Sequence, residues 1–127
     1  MKEKIIEKNI IKYLETKWAI VEWQNGWAVM IKKWKLTYRM NLQTKGCPDI
    51  ICYYRWNFIW IEVKKDIEQV KKWCMLRDRY EKDKLLPKSY ERELNQIKYR
   101  KRILDNWWTF IITSETKEVA QFINSLE

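Results

Sequence analysis

The clearest pattern of apolar and polar positions lies between residues 46 and 64. Two apolar runs, Ile50-Ile51-Cys52-Tyr53-Tyr54 and Phe58-Ile59-Trp60-Ile61, flank a short polar break at Arg55-Trp56-Asn57. That pattern predicts a β-hairpin. Upstream, Ile6, Ile10, Tyr13, Leu14 and Lys17 recur at three-to-four spacing, which predicts a helix over 3–17. Residues 19–24 suit a strand, and Asn25-Gly26 is a turn signal. Residues 27–40 hold apolar pieces around Lys32-Lys33-Trp34-Lys35, which fit either a second hairpin or an irregular arm. A helix is predicted over 66–82, with Ile67, Val70, Cys74 and Arg77 along one side, ending before Pro87. Ser89 is the expected cap of a second helix over about 90–105. Thr109–Thr113 reads as the last core strand. Ser114 is the expected cap of a final helix with the apolar stripe Val119, Phe122, Ile123 and Leu126. The sum is an α/β domain: a central mixed sheet of about four strands flanked by helices, in the order α-β-β-β-α-α-β-α, with room for an extra hairpin.

Composition narrows the chemistry. At 127 residues the chain is sized for one domain. Lys and Arg number 26 against 17 Asp and Glu, a formal charge of +9, which suits a phosphate-backbone partner. No apolar run approaches membrane length, and charges interrupt the first ten residues. A cytoplasmic or nucleoid-associated protein without membrane contact is therefore expected. Cys47, Cys52 and Cys74 lack paired ligand spacing, so buried thiols rather than a zinc site are expected. The chain has no His, which removes Ser-His and Cys-His hydrolases and leaves a metal-activated water as the natural route to hydrolysis.

The hairpin supplies residues for that route. Asp49 opens its first strand, and Glu62 and Lys64 close its second. Alternate residues of a strand share a face, so Glu62 and Lys64 point the same way, with Asp49 beside them. Two adjacent carboxylates repel unless one is neutral or a cation lies between them. Mg²⁺ is typically held by one or two carboxylates plus water and phosphate. A lone Glu-x-Lys is most often a solvated ion pair; Pro48-Asp49 ahead of a buried strand, followed by Ile61-Glu62-Val63-Lys64, is a far more specific arrangement. Lys32, Lys33, Lys35 and Arg39 precede it and could hold backbone phosphates, with a solvated basic loop as the alternative at even odds.

Lys45-Gly46-Cys47-Pro48-Asp49-Ile50-Ile51 followed by Phe58-Ile59-Trp60-Ile61-Glu62-Val63-Lys64 resembles the PD-(D/E)xK nucleases, in particular the virus-type replication-repair nuclease (VRR-NUC) family. The resemblance spans nearly the whole chain apart from about 66–90, which it sets apart as a helical insertion within the single domain 1–127. It implies a restriction-endonuclease-like fold and Mg²⁺- or Mn²⁺-dependent cleavage of DNA. The substrate expected is branched or structured DNA such as four-way junctions, the protein a homodimer of bacterial or phage origin. It further implies metal binding by Asp49, Glu62 and the Val63 carbonyl, a metal-site glutamate on the first helix at Glu7 (with Glu3 as runner-up), Lys64 positioning the attacking water, and Gln96 supporting Lys64 or the phosphate. The rival readings are a non-catalytic basic DNA-binding domain of the same fold and a small basic interaction protein.

The tryptophans form a separate signal. The chain has nine Trp and only two Gly, where glycine averages about 7%. Trp18 follows the first helix, Trp34 and Trp56 sit at turn tips, and Asn106-Trp107 stands where an Asn-Gly helix stop would serve. Trp60, Trp107 and Trp108 also occupy positions where VRR-type proteins commonly have Gly. The pattern points to a codon, UGA, that the native host reads as glycine and that is rendered here as tryptophan; the alternative is an aromatic surface for stacking bases. The first reading predicts strained turns with exposed indoles.

Overall fold

A computed structural model of the chain describes residues 2–25, 28–33, 36–41 and 46–127, with side chains described for 2–23 and 46–127. Its elements run α1 (Lys2–Thr16), β1 (Ile20–Asn25), β2 (Ala28–Lys33), β3 (Leu36–Asn41), β4 (Ile50–Tyr54), β5 (Asn57–Val63), α2 (Ile67–Asp83), a 3₁₀ turn (Lys88–Tyr90), α3 (Glu91–Asp105), β6 (Thr109–Thr113) and α4 (Thr116–Ser125). The strands form one six-stranded sheet in the order β3-β2-β1-β4-β5-β6. Every neighbouring pair is antiparallel except β5 and β6, which are parallel. The α/β order read from the sequence is present, and the stretch 27–40 forms the extra hairpin, β2 and β3, rather than an irregular arm.

Period-two alternation divides β5 between two cores. Ile59, Ile61 and Val63 join Ile50 and Cys52 of β4 on one face, where Ile10 and Leu14 of α1 and Val119 and Ile123 of α4 close over them. These aliphatic side chains are almost fully buried, and each burial is worth roughly 1.5–3 kcal/mol. On the other face Trp73 and Leu76 of α2, Leu86 of the α2–α3 connection and Ile97 of α3 pack with Phe110 and Ile112 of β6. Glu62 lies opposite Ile112 in the parallel ladder and so belongs to this second face, under α2 and α3.

Three local expectations are corrected. The buried stripe of α2 carries Trp73 and Leu76, while Ile67 stands exposed. The large indole dominates, stacked on Phe110 with centroids 5.6 Å apart, while Cys74 packs partly buried against the same cluster and Val70 and Arg77 stay half-buried on its flank. Ser89 does not cap α3, because the 3₁₀ turn intervenes and Tyr90 becomes the residue before the helix, with no side-chain cap. Nor does Ser114 cap α4. The residue before the helix is Glu115, with no side-chain cap; the Thr113 hydroxyl instead ties the turn, accepting from Glu115 N–H at 3.0 Å and donating to Glu118 Oε1 at 2.8 Å. Of the three thiols, Cys47 and Cys52 are buried and Cys74 is half-buried.

Both α1 and α3 end in Schellman motifs built on tryptophan. Trp18 N–H donates to Glu15 and Ala19 N–H to Leu14; Trp107 N–H donates to Leu104 and Trp108 N–H to Ile103. The residue at the left-handed position of this motif is usually Gly. Here it is Trp18 and Trp107, each with φ of 63°. The β4–β5 turn is likewise made by Arg55 and Trp56 with φ of 47° and 71°, the two positive values that a two-residue type I′ hairpin demands. The three indoles gain no burial for this strain: Trp18, Trp56 and Trp107 are 82%, 101% and 96% exposed. Trp34 and Gly26 lie outside the described residues. Among the described residues no helix is long and apolar enough to cross a membrane.

Candidate active site

The β4–β5 register sets the two carboxylates together. Ile50 faces Ile61, so one step further along Asp49 comes beside Glu62. Asp49 Oδ2 accepts a hydrogen bond from the Val63 N–H at 2.8 Å. In an extended strand a residue's N–H and C=O project to the same edge, so the Val63 carbonyl also projects towards Asp49. Glu62 is buried beneath α3. Its Oε1 accepts from Gln96 Nε2 at 3.4 Å, and its Oε2 has no hydrogen-bond partner. Burial first, then the Asp49 charge, push the Glu62 carboxyl well above the usual carboxylate range; Lys64 and Arg92 oppose the shift. A buried carboxylate oxygen without a partner is a costly arrangement that a bound cation would resolve.

Gln96 is the keystone of the far wall. It is 5% exposed, on the inward face of α3. While its Nε2 donates to Glu62, its Oε1 accepts from Lys64 Nζ at 3.2 Å and from Trp73 Nε1 at 3.0 Å. One amide thus ties the carboxylate, the lysine and the core of α2 into a single network. Gly46 allows this wall to close. It has φ of 82°, and a Cβ there would lie 2.3 Å from the Asn95 carbonyl oxygen, so only glycine lets α3 approach the loop before β4. An open cavity of ≈ 440 Å³ remains between them, lined by Gly46, Asp49, Glu62, Arg92, Asn95 and Gln96.

Glu7 approaches from α1. It is 5% exposed, one turn before Ile10, and Lys4 Nζ lies 3.6 Å from its Oε2. Burial, followed by the Asp49 charge, raises its pKa to about 7, against a weaker lowering by Lys4. Its link to Asp49 is electrostatic: among the described residues no three His, Cys, Asp or Glu side chains gather as a ready ligand set. Glu3 is less buried and lines a different cleft, beside Lys64. The side chains of Lys32, Lys33 and Arg39, and Lys35 entirely, lie outside the described residues.

The structure therefore brings together Asp49, Glu62, Val63, Lys64 and Gln96, and sets Glu7 within electrostatic reach. Sequence reasoning missed Arg92 and Trp73. Arg92 was hidden among many cations, whereas a lone Trp inside a charged helix was a readable sign of a buried anchor. The oxygen donors suit a hard divalent cation, since two carboxylates and a carbonyl leave room for water and phosphate. No protein-family model, curated protein or solved structure matches the chain.

Proposed function

We propose that the protein is a divalent-metal-dependent DNA endonuclease, acting on branched or structured DNA such as four-way junctions. The observation that carries this reading is the buried Glu62 carboxyl beside Asp49, with an unpartnered Oε2, facing a lysine held in place by Gln96. Asp49, Glu62 and the Val63 carbonyl would hold Mg²⁺ or Mn²⁺, with Glu7 binding or orienting it. Bound there, such an ion supplies Lewis acidity to a phosphoryl oxygen and lowers the pKa of water.

The chain's own residues account for the rest. Lys64 keeps two N–H donors beyond the one given to Gln96, enough to orient a water and to neutralise charge growing on a phosphate oxygen. Gln96 fixes the position of that ammonium, and Trp73 fixes Gln96. The net charge of +9 favours the polyanionic substrate. A homodimer is part of the proposal, because cutting two strands symmetrically needs two such sites; light scattering that shows only monomer, with junctions nicked on one strand, would remove that part.

The deciding experiment is cleavage of plasmid, flap, splayed and four-way-junction DNA in Mg²⁺ or Mn²⁺, with EDTA as control. Asp49→Ala and Lys64→Ala should each lower cleavage by about 10²-fold or more while DNA binding persists. Full activity in EDTA, or in either variant, overturns the mechanism. Binding without any cleavage returns the non-catalytic DNA-binding reading.

A further inference from the structure

The acidic cavity has a basic neighbour. Arg92, in the first turn of α3, lines the cavity of Asp49 and Glu62 and also a second cleft, between the end of β5, α2 and α3. Lys64, Lys65, Lys72 and Arg92 line this cleft, with Glu3 and Glu93 as its carboxylates. Four cations against two carboxylates leave it with an excess of two positive charges. Among the described residues none of the four cations stands in an ion pair. Lys64 donates to the neutral Gln96, and Lys72 sits 5.6 Å above the Tyr90 ring. Lys65, Lys72 and Arg92 are exposed, so their charge is available to a ligand. The volume, ≈ 190 Å³, falls below the roughly 300–1,000 Å³ of drug-sized ligand sites and suits a small anionic group.

We propose that this cleft seats a second backbone phosphate of the DNA strand whose scissile phosphate lies over Asp49 and Glu62, with Arg92 spanning the two positions. The inference rests on the endonuclease reading for the identity of the strand. It gives α2 a part in the site: the helix supplies Lys72 and turns the strand ends into one side of a groove. A phosphate held in the cleft fixes the strand's register against Lys64 and carries no base specificity.

The test is the salt dependence of binding of a labelled four-way junction, measured in EDTA from about 50 to 200 mM salt. Lys65→Ala/Lys72→Ala should flatten the slope of log K against log salt by about 0.9 for each DNA phosphate that is no longer neutralised. Lys117→Ala, an exposed lysine of α4 on the opposite face, should leave it unchanged. In Mg²⁺ the double variant should raise KM several-fold and leave kcat near wild type, the mark of an interaction made equally in ground and transition states. A wild-type slope and KM in the double variant overturn the proposal, as does an equal flattening by Lys117→Ala. If the wild type cleaves but the slope does not change, the cleft fails and the endonuclease stands. If the slope changes but no substrate is cut in Mg²⁺ or Mn²⁺, the endonuclease fails and the cleft stands as a DNA-binding site. If the wild type neither binds nor cleaves, both fall.

Discussion

Gln96 turns one end of its amide to Glu62, with Nε2 3.4 Å from Oε1, and the other end to Lys64 and Trp73. A leucine of similar size cannot make these bonds. Gln96→Leu should strand the Trp73 N–H and release Lys64, costing about 1–3 kcal/mol of stability. Metal-dependent cleavage should fall further than that destabilisation explains, read as kcat on protein that is still fully folded. Unchanged kcat would reduce Gln96 to a packing residue.

The two raised carboxyls make metal-free stability pH-dependent. Glu7 has a folded pKa of about 7 against an ordinary 4.5, so its favourable contribution is complete below about pH 4.5 and is lost as pH rises through about 7. Glu62 shifts in the same direction. The metal-free melting temperature should therefore fall between about pH 5 and 8, and Mg²⁺ should restore it most at the upper end. Glu7→Gln should flatten the fall and stabilise the metal-free protein at about pH 8 by on the order of 1–3 kcal/mol. Melting curves that are flat in pH would contradict this.

Gly46→Ala combines a Cβ 2.3 Å from the Asn95 carbonyl oxygen with a positive φ. The backbone of α3 must move, at a cost of about 2–4 kcal/mol. Because Gln96 follows Asn95, cleavage should drop in the folded fraction too. A fully active and stable Gly46→Ala protein would show that the wall can shift without consequence.

Trp18→Gly, Trp56→Gly and Trp107→Gly should each stabilise the chain by about 1 kcal/mol, since a left-handed backbone costs an L-residue roughly that much and these indoles bury almost nothing. Trp73→Gly should do the opposite, by about 3–5 kcal/mol, because that indole is buried, stacked on Phe110 and bonded to Gln96. Thermal melts of the four variants separate the two groups. UGA codons at 18, 56 and 107 with UGG at 73 would match them to their decoding; UGG at all four would end the glycine reading.

The carboxylate pair was legible because two apolar runs around a short break fix a hairpin, and a hairpin fixes which ends meet. The turn itself is one residue tighter than the polar break suggests: Asn57 pairs with Tyr54, leaving only Arg55 and Trp56 in the loop. Helix faces were less legible. In α2 small and branched residues suggested one stripe, but a single Trp outweighed them once β6 offered Phe110 as a partner. The caps failed because Ser89 and Ser114 precede turns whose geometry depends on the neighbouring strand and 3₁₀ segment. Arg92 carried no pattern at all, since its meaning comes from lying between two cavities that exist only when α1, β5, α2 and α3 are assembled.

Gly46 against Asn95 joins residues far apart in the chain, and Glu62 with Gln96 joins another such pair. Pairings of this kind form only after the loop entropy between their ends has been overcome, so they tend to come late in folding. During synthesis Asp49, Glu62 and Lys64 are all made before Gln96. A nascent chain at that stage holds the acids and the lysine but lacks the amide that fixes them and the wall that buries them. The proposed site is therefore complete only once its last residue, Gln96, has been added and α3 has packed against the hairpin.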